Sequence, residues 1–239
     1  METDTPRLFR DYKNPREFIK KIIGRKIVRI RRSGKNIIME LDNKSYLVFH
    51  LMMTGRLFLN PLTSLPHDRA TLKLSGGNRL VFNDVRKFGR CRVLESSATV
   101  SYEEPLDITF ARFKKILGRR KMAIKSLLLN QKILGGIGNI YSDEILWEAG
   151  IHPATLVGDF TDGQLGKLFR AVRSVLKLAI KRGGTSMRDY RKPDGSEGGY
   201  YKIRKVYNRA GEKCPRDGAF IQRMVMAQRS THYCPHHQR

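Results

Sequence analysis

The sequence predicts an α+β protein with two domains, an antiparallel β-sandwich followed by a helical domain that ends in a small hairpin. Three observations support this prediction. Short runs rich in β-branched and aromatic residues fill the first hundred positions, helical apolar spacing follows them, and paired metal-ligand residues recur near the C-terminus. Many short strands between turns are typical of sandwiches, and a change to helical periodicity marks a separate domain. We place the domains at residues 1–103 and 104–239, with the boundary in the polar segment 96–105.

The first domain is predicted to begin with a short helix and to continue as strands. Asn14 and Pro15 are typical of a helix start, and Gly24 ends the helix. Asp42-Asn43 and Gly76-Gly77-Asn78 are typical of hairpin turns. The predicted strands are 25–32, 36–41, 45–51, 56–60, 69–75, 79–83 and 90–95.

The second domain is predicted to be helical. Asp107 is the expected cap of its first helix. Thr161, in a capping box with Gln164, is the expected cap of its last helix. Gly150 and Gly183 follow predicted helix ends, where glycine is favoured. The predicted helices cover residues 107–117, 123–130, 140–149 and 161–182.

The chain is strongly basic, with 47 Lys and Arg residues against 22 Asp and Glu and a formal net charge of +25. Such a surface attracts phosphate backbones, and binding releases their condensed counterions. A hydrophobic content of 40% is enough for a folded core, which excludes a disordered basic tail. The composition therefore indicates a nucleic-acid-binding protein, and a basic ribosomal or merely soluble protein is the alternative.

The sequence contains no membrane-spanning or secretory pattern. Its longest apolar run, Tyr46 to Met53, is too short to cross a bilayer. The N-terminal residues lack a basic segment followed by an apolar one, so no secretory signal is visible. Three cysteines, two of them in the C-terminal hairpin, do not indicate a disulfide framework. We therefore expect the protein in a reducing cytoplasm. We also expect a monomer.

The C-terminal hairpin, about residues 207–239, has the ligand spacing of a zinc finger. The proposed ligands are Cys214, Asp217, Cys234 and His237. Zinc accepts all three residue types, although a set with few thiolates is expected to bind it less tightly. His232 and His236 are alternative donors. The other interpretation is a metal-free hairpin held by the packing of Tyr207, Phe220, Ile221 and Tyr233.

A glycine-rich loop, Gly135-Gly-Ile-Gly-Asn139, precedes the third predicted helix. Such a loop leaves backbone N–H groups exposed at the positive end of the helix dipole, which is a favourable phosphate site. Asn139 can add a side-chain donor. The alternative is a tight turn that needs glycine only for its positive φ angles. Together with the charge and the finger, the pattern favours phosphate binding.

Longer stretches of the chain resemble the formamidopyrimidine-DNA glycosylase family. Residues 125–153, which include Gly135-Gly-Ile-Gly-Asn-Ile-Tyr-Ser-Asp-Glu144, are similar to the family's helix–two-turn–helix. The resemblance covers roughly residues 7–239. The other matching segments are His50–Gly55, Asp84–Gly89, Gly183–Thr185, Asp194-Gly195, Val206-Tyr207 and Arg229–Pro235. Members of the family are bacterial enzymes that remove oxidised purines, so the resemblance implies base-excision DNA repair.

The resemblance implies that Met53, Arg86 and Phe88 form a wedge. Enzymes that act on a base in duplex DNA rotate the nucleotide out of the stack, and the wedge fills the space that it leaves. A flexible Met, a stacking aromatic and an Arg that can donate to the partner base suit this role. The alternative is that Met53 and Phe88 are ordinary core residues.

The resemblance also implies a set of phosphate-binding residues, and the alternative for its cations is a solvated positive surface. The predicted set is Lys35, His50, Lys125, Asn139 and Arg229. We expect the DNA to lie in a basic cleft between the two domains.

Two departures from the family pattern concern the metal and the nucleophile. The family binds zinc with four cysteines, whereas Asp217 and His237 occupy the second and fourth positions here. Family members begin Pro-Glu-Leu-Pro-Glu. Their N-terminal proline amine attacks C1′ of the damaged nucleotide, and the adjacent Glu transfers protons before elimination cleaves the strand. This chain begins Met1-Glu2, without that segment, so the sandwich is expected to be truncated.

Three explanations for the N-terminus are open. The protein continues upstream of Met1, or it is a non-catalytic relative, or the Met1 α-amine reacts with Glu2 as the proton carrier. An α-amine with a pKa of about 8 is roughly one-tenth neutral at pH 7, far more than a lysine with a pKa of about 10.4. Lys35 is the second candidate nucleophile, provided that burial near other cations lowers its pKa.

We therefore expect a glycosylase and abasic-site lyase that acts through a Schiff base on double-stranded DNA containing oxidised bases or abasic sites. The alternative is a catalytically inactive module that binds damaged or abasic DNA. The expected cofactor is zinc in the finger, and the expected location is the cytoplasm at the nucleoid.

Overall fold

Two units make up the chain in the computed structural model. One comprises residues 1–101 and 187–197, and the other comprises residues 102–186 and 198–239. The structure describes residues 2–3, 6–96, 100–118, 120–187, 191–192 and 195–239, and for residues 2, 3, 6 and 7 it describes the backbone alone. The sequence did not predict that residues 187–197 belong with the first unit.

The first unit contains two antiparallel sheets. One has the strand order β1-β6-β7-β5 and the other has the order β2-β3-β4-β8. Strand β1 was not predicted, and the other strands lie close to their predicted positions. The bounds are β1 Glu2–Thr3, β2 Ile27–Ser33, β3 Asn36–Leu41, β4 Tyr46–His50, β5 Gly55–Leu59, β6 Asp68–Lys73, β7 Arg79–Asp84 and β8 Arg90–Leu94.

Apolar side chains from both sheets share one core, which confirms the predicted sandwich. Phe49 of β4 and Phe82 of β7 are fully buried and stack with their ring centroids 5.8 Å apart. Helix α1, Pro15–Ile22, adds Phe18 to the same core, and the predicted residue Asn14 caps it. Burial of this apolar surface is what stabilises the unit.

The second unit is helical, as predicted. Thr161 and Gln164 form the expected capping box at its longest helix. The prediction that Asp107 caps the first helix is wrong, because the Thr109 side chain accepts the hydrogen bond from Arg112 N–H instead. The helices are α2 Phe110–Leu117, α3 Ile124–Leu129, α4 Asn139–Ala149 and α5 Asp162–Lys181.

Strands β9, Gln222–Met226, and β10, Arg229–Tyr233, form the C-terminal hairpin in antiparallel register. Its turn residues Ala227 and Gln228 have φ angles of 47° and 57°, which correspond to the turn type that suits a two-residue hairpin. Trp147 of α4 packs with this segment in a small separate core. None of the helices among the described residues combines the length and the apolar character that a membrane span requires.

Candidate nucleic-acid interface and metal centre

The three predicted wedge residues lie together on the surface of the first unit, and we call them the wedge cluster. Nη1 of Arg86 is 3.4 Å from Sδ of Met53, and the Arg86 guanidinium lies 4.9 Å from the centroid of the Phe88 ring. Met53 is 57% exposed and Phe88 is 41% exposed, so neither is a core residue. An exposed apolar and aromatic pair joined by a guanidinium has the chemistry needed to replace a base in the stack.

The buried carboxylate of Asp84 fixes the loop that carries Arg86. Its Oδ1 accepts hydrogen bonds from the Thr54 hydroxyl and from Arg86 N–H, the latter at 3.2 Å. Its Oδ2 accepts a hydrogen bond from Gly89 N–H at 2.8 Å. A side chain at Gly89 is excluded because its Cβ would lie 2.4 Å from the Phe82 ring. The wedge cluster is therefore held by a buried polar contact and a tight backbone approach.

Lys35 and His50 are neighbours in the first unit. Lys35 lies in the turn between β2 and β3, and the next residue, Asn36, pairs with His50 of β4. His50 Nδ1 accepts a hydrogen bond from Met52 N–H at 3.1 Å, so the neutral ring carries its proton on Nε2. Burial lowers the pKa of His50, and the charges of Lys35 and Arg90 lower it further. His50 is therefore a neutral hydrogen-bond donor at pH 7.

The predicted catalytic residues at the N-terminus are described only in part. Met1 lies outside the described residues. Glu2 is described by its backbone, which pairs with Thr71 of β6. The roles expected for the Met1 amine and the Glu2 carboxylate stay predictions.

The glycine-rich loop leads directly into α4 in the second unit. Gly138 is the N-cap residue, and no side chain among the described residues caps this helix. The Gln131 side chain supports the loop, because its Nε2 donates to Ile137 O at 2.8 Å and its Oε1 accepts from Gly136 N–H at 3.0 Å. Uncapped N–H groups at the positive end of a helix dipole suit a phosphate oxygen.

Lys125 is fully buried beneath this helix start. Its ammonium donates to the Asn139 carbonyl at 3.2 Å, to the Ser142 hydroxyl at 2.7 Å and to the Asp143 carboxylate. Burial lowers the pKa of Lys125, and the Asp143 charge opposes that shift. These bonds occupy the three donors of an ammonium. The geometry gives Lys125 a supporting role, and the predicted phosphate contact would require these bonds to break.

Asn139 and Arg229 lie where α4 meets the hairpin. Asn139 Nδ2 donates to Ser230 O at 2.9 Å, which joins the start of α4 to β10. Arg229, the residue before Ser230, is exposed next to the hairpin turn. We call Gly135–Asn139 together with Arg229 the loop–hairpin surface.

Two buried carboxylates of α4 hold the chain that leads into and through the hairpin. Asp143 Oδ2 accepts a hydrogen bond from His232 N–H at 2.9 Å and lies 3.1 Å from His232 Nδ1. Glu144 accepts hydrogen bonds from the backbone N–H groups of residues 205–207 at 2.8 to 2.9 Å. These contacts anchor the hairpin on α4, and they keep His232 outside the predicted ligand cluster.

The four predicted metal ligands converge, with their ligand atoms all within 4.8 Å of one another. Nδ1 of His237 is 3.7 Å from Sγ of Cys214 and 3.2 Å from Oδ2 of Asp217. Sγ of Cys234 is 3.3 Å from the same Asp217 oxygen. A tetrahedral zinc ion with bonds of roughly 2.0–2.3 Å sets its ligand atoms about 3.3–3.8 Å apart. The cluster therefore fits zinc.

The carboxylate of the cluster is ionised. Burial raises the pKa of Asp217, but hydrogen bonds from Ala219 N–H, from the Cys234 and Cys214 thiols and from His237 outweigh burial and lower the pKa to about 2. Burial raises the pKa of the Cys234 thiol. A bound cation favours the thiolate form of a cysteine. A metal ion would therefore balance the negative charges of the Asp217 carboxylate and the cysteine thiolates.

Sequence reasoning missed four residues that organise these sites. Asp84 begins the matching segment Asp84–Gly89, but the sequence assigns no function to its carboxylate. Asp143 and Glu144 are adjacent carboxylates in the predicted helix that follows the glycine-rich loop. Trp147, the single tryptophan of the chain, contacts the metal cluster. No pattern in the sequence indicates which distant residues these four contact.

Three family descriptions match successive parts of the chain. The formamidopyrimidine-DNA glycosylase N-terminal domain matches residues 1–91 and the H2TH domain of the same enzyme matches residues 103–191. The zinc finger found in FPG and IleRS matches residues 211–236. The matches follow the order of the sandwich, the helices and the hairpin described above.

Curated relatives are similar over almost the whole chain. A formamidopyrimidine-DNA glycosylase of Roseiflexus sp. is 40% identical over 235 residues, which is 95% of this chain and 86% of the relative. The enzyme of that name from Chloroflexus aggregans is 42% identical, over 92% of this chain and 84% of the relative.

Solved structures with the same fold come from Lactococcus lactis. A complex of its Fpg with abasic-site DNA has a TM-score of 0.85 at 33% identity and covers 100% of this chain and 90% of its own. A complex with Fapy-dG DNA has a TM-score of 0.84 at the same identity, covering 100% and 91%. The fold and site define a two-unit protein with a helix–two-turn–helix and a zinc-finger hairpin. The chain belongs to the formamidopyrimidine-DNA glycosylase family.

Proposed function

We propose that this protein is a DNA glycosylase and abasic-site lyase of base-excision repair. The observation that supports the proposal most strongly is the similarity to enzymes of that name over 95% of the chain. Its substrate is double-stranded DNA that contains an oxidised base or an abasic site, the kind of DNA bound in the related Lactococcus lactis complexes. Its working location is the cytoplasm, at the nucleoid.

In this proposal the wedge cluster recognises the lesion. The target nucleotide leaves the stack, Phe88 and Met53 occupy its space, and Arg86 donates to the orphaned partner base. The exposure of these side chains and the contacts within the cluster support this assignment.

The loop–hairpin surface holds the phosphate backbone in the same proposal. The uncapped start of α4 supplies backbone N–H donors, and Arg229 supplies a guanidinium next to them. Asn139 joins the two elements through Ser230. In the first unit, Lys35 and the neutral His50 supply further contacts to the DNA.

The proposed chemistry needs a neutral amine at C1′ of the target nucleotide. The amine bonds to C1′ as the damaged base leaves with a proton, and the C1′–O4′ bond then opens to give an imine. On an abasic sugar the amine condenses with the aldehyde and releases water to give the same imine. Loss of a C2′ proton from the imine then permits elimination of the 3′ phosphate. The candidates are the Met1 α-amine, with Glu2 as its proton carrier, and the Lys35 ammonium after deprotonation.

Borohydride trapping on an abasic-site duplex tests the proposal, because reduction of an imine joins protein and DNA permanently. We expect a trapped complex that is absent when the duplex is intact. Lys35→Ala and a form with a blocked N-terminus identify the amine. Loss of trapping only with the blocked terminus assigns Met1, and loss only with Lys35→Ala assigns Lys35.

Failure of trapping in every form, together with retained binding to the abasic duplex, would contradict the lyase and leave a damage-binding protein. Lys44→Ala is the matched control for Lys35→Ala, because Lys44 is another exposed lysine in a hairpin turn of the same sheet. It should not change the trapped yield.

A further inference from the structure

Trp147 connects the end of α4 to two of the four metal ligands. Its indole Nε1–H donates to Cys214 Sγ at 3.3 Å. Its ring meets the His237 ring edge-on with the centroids 5.3 Å apart, and its backbone oxygen lies 3.1 Å from His237 Nε2. One residue therefore contacts a sulfur ligand and a nitrogen ligand through separate polar groups.

The backbone contact fixes which His237 nitrogen is available to a metal. A carbonyl oxygen can only accept a hydrogen bond, so Nε2 must carry the proton. The lone pair of the neutral ring is then on Nδ1, the atom that faces Cys214 Sγ and Asp217 Oδ2. A second hydrogen bond of this kind is the usual means by which proteins orient a metal-binding histidine.

We propose that His237 binds the finger's zinc through Nδ1 and that Trp147 is the positioning residue for both His237 and Cys214. The proposal rests on the zinc site described above and is independent of the enzymatic activity. The indole N–H donates to the Cys214 sulfur and stabilises negative charge on it.

The environment of Trp147 also keeps its ring in place. The Arg216 guanidinium lies 4.3 Å from the ring centroid and forms an ion pair with Glu148 at 3.7 Å. Trp147 itself is buried. Contacts with a guanidinium and an imidazole leave the ring little freedom to turn its N–H away from the sulfur.

The tautomer is measured on the wild-type protein. Two-dimensional ¹⁵N–¹H NMR of histidine-labelled, zinc-loaded protein separates protonated, free and metal-bound ring nitrogens, and the His237→Gln variant identifies the His237 signals. We expect a protonated Nε2 and a metal-bound Nδ1. A metal-bound Nε2, or a His237 without metal, overturns the assignment.

The role of the indole N–H is tested with Trp147→Phe, which keeps a ring and the backbone carbonyl. In the cobalt-substituted protein, loss of the N–H raises the energy of the sulfur electrons. The thiolate-to-cobalt absorption should therefore move to longer wavelength. Zinc affinity should fall about tenfold, the lower end of the range for such supporting contacts.

Tyr233→Phe is the matched control. It removes a hydroxyl that donates to Gln222 in the same hairpin at 2.8 Å and not to a ligand atom. Its cobalt spectrum and zinc affinity should match those of the wild type. The same unchanged spectrum and affinity in Trp147→Phe would overturn the positioning role. If Trp147→Phe does not fold, the wild-type tautomer measurement still tests the Nδ1 assignment, which the contact of His237 Nε2 with the Trp147 carbonyl predicts.

Discussion

The two units of this protein support their proposed DNA contacts in different ways. The first unit carries the wedge cluster exposed on loops, with Met53 57% and Phe88 41% exposed, and the buried carboxylate of Asp84 holds its loop. The second unit buries charged groups, among them Lys125, Asp143 and Glu144, and they support the loop–hairpin surface from within. The comparison suggests a division of labour in which the first unit distinguishes damaged from intact DNA and the second grips any duplex.

An apolar core and a buried ion pair also differ in how substitutions destabilise them. Apolar burial is non-directional, so a sandwich core tolerates changes that keep its volume. Buried ion pairs depend on every partner, because removal of one charge leaves the other uncompensated in a medium of low polarity. The buried Lys125–Asp143 pair should therefore be more sensitive to single polar substitutions than an exposed ion pair of the same unit.

The largest expected effect is that of salt concentration on the affinity for DNA. A protein that contacts about six phosphates should lose roughly a thousandfold in affinity between about 50 and 200 mM salt. The net charge of +25 is the basis for this expectation. Intact and abasic duplexes should show the same slope, because the slope counts phosphate contacts. Titrations by fluorescence anisotropy measure it, and an affinity that does not change with salt would refute the electrostatic grip.

Asp143→Asn should cost about 3–5 kcal/mol of unfolding free energy, because the buried Lys125 ammonium would lose the anion that compensates it. Asp162→Asn is the matched control, since Asp162 pairs with Lys114 on the surface. An exposed pair contributes about 0–1 kcal/mol. Urea denaturation measures both variants. Equal losses would remove the distinction between the buried and exposed ion pairs.

Metal analysis compares the loss of a finger cysteine in the second unit with the loss of a core cysteine in the first unit. Protein purified without chelator should contain close to one zinc ion per chain, because structural zinc sites bind tightly enough to survive purification. Cys234→Ala should lose the zinc, whereas Cys91→Ala should keep it, because Cys91 lies in the sandwich core. Zinc below about a tenth of that amount in the wild type would favour the hairpin held by packing alone.

Arg229→Ala should weaken binding to intact and abasic duplexes alike, by about tenfold. It should also lower the slope of log affinity against log salt concentration by about one, the value for one phosphate contact. Lys177→Ala is the control for the loss of a charge, because Lys177 is exposed on α5 and is not one of the residues of the loop–hairpin surface. A selective loss on the abasic duplex alone would move Arg229 from general grip to lesion recognition.

Local patterns in the sequence predicted most of the fold. The strands of the sandwich, the capping box at Thr161 and the end of α4 at Gly150 depend on residues close together in the chain, and the structure contains them. The cap at Thr109 was missed because Asp107, two residues earlier, is an equally good capping residue by type.

The long-range contacts of the site were not predictable in the same way. Four ligand residues could be proposed from their spacing, but the contact of Trp147 with Cys214 joins residues far apart in sequence. Lys125 was expected to contact phosphate because of the family resemblance, with a solvated positive surface as the alternative. Only the fold shows that Asp143 and Ser142 surround its ammonium.

The most direct test of the division of labour is the ratio of dissociation constants for intact and abasic duplexes in the Phe88→Ala variant. A flipped nucleotide costs a few kcal/mol of unstacking, which the wedge offsets. Loss of the ring should therefore weaken abasic binding about tenfold or more and leave intact binding within about twofold, so that the ratio falls. An equal loss on both duplexes would contradict the account, because Phe88 would then be a general contact.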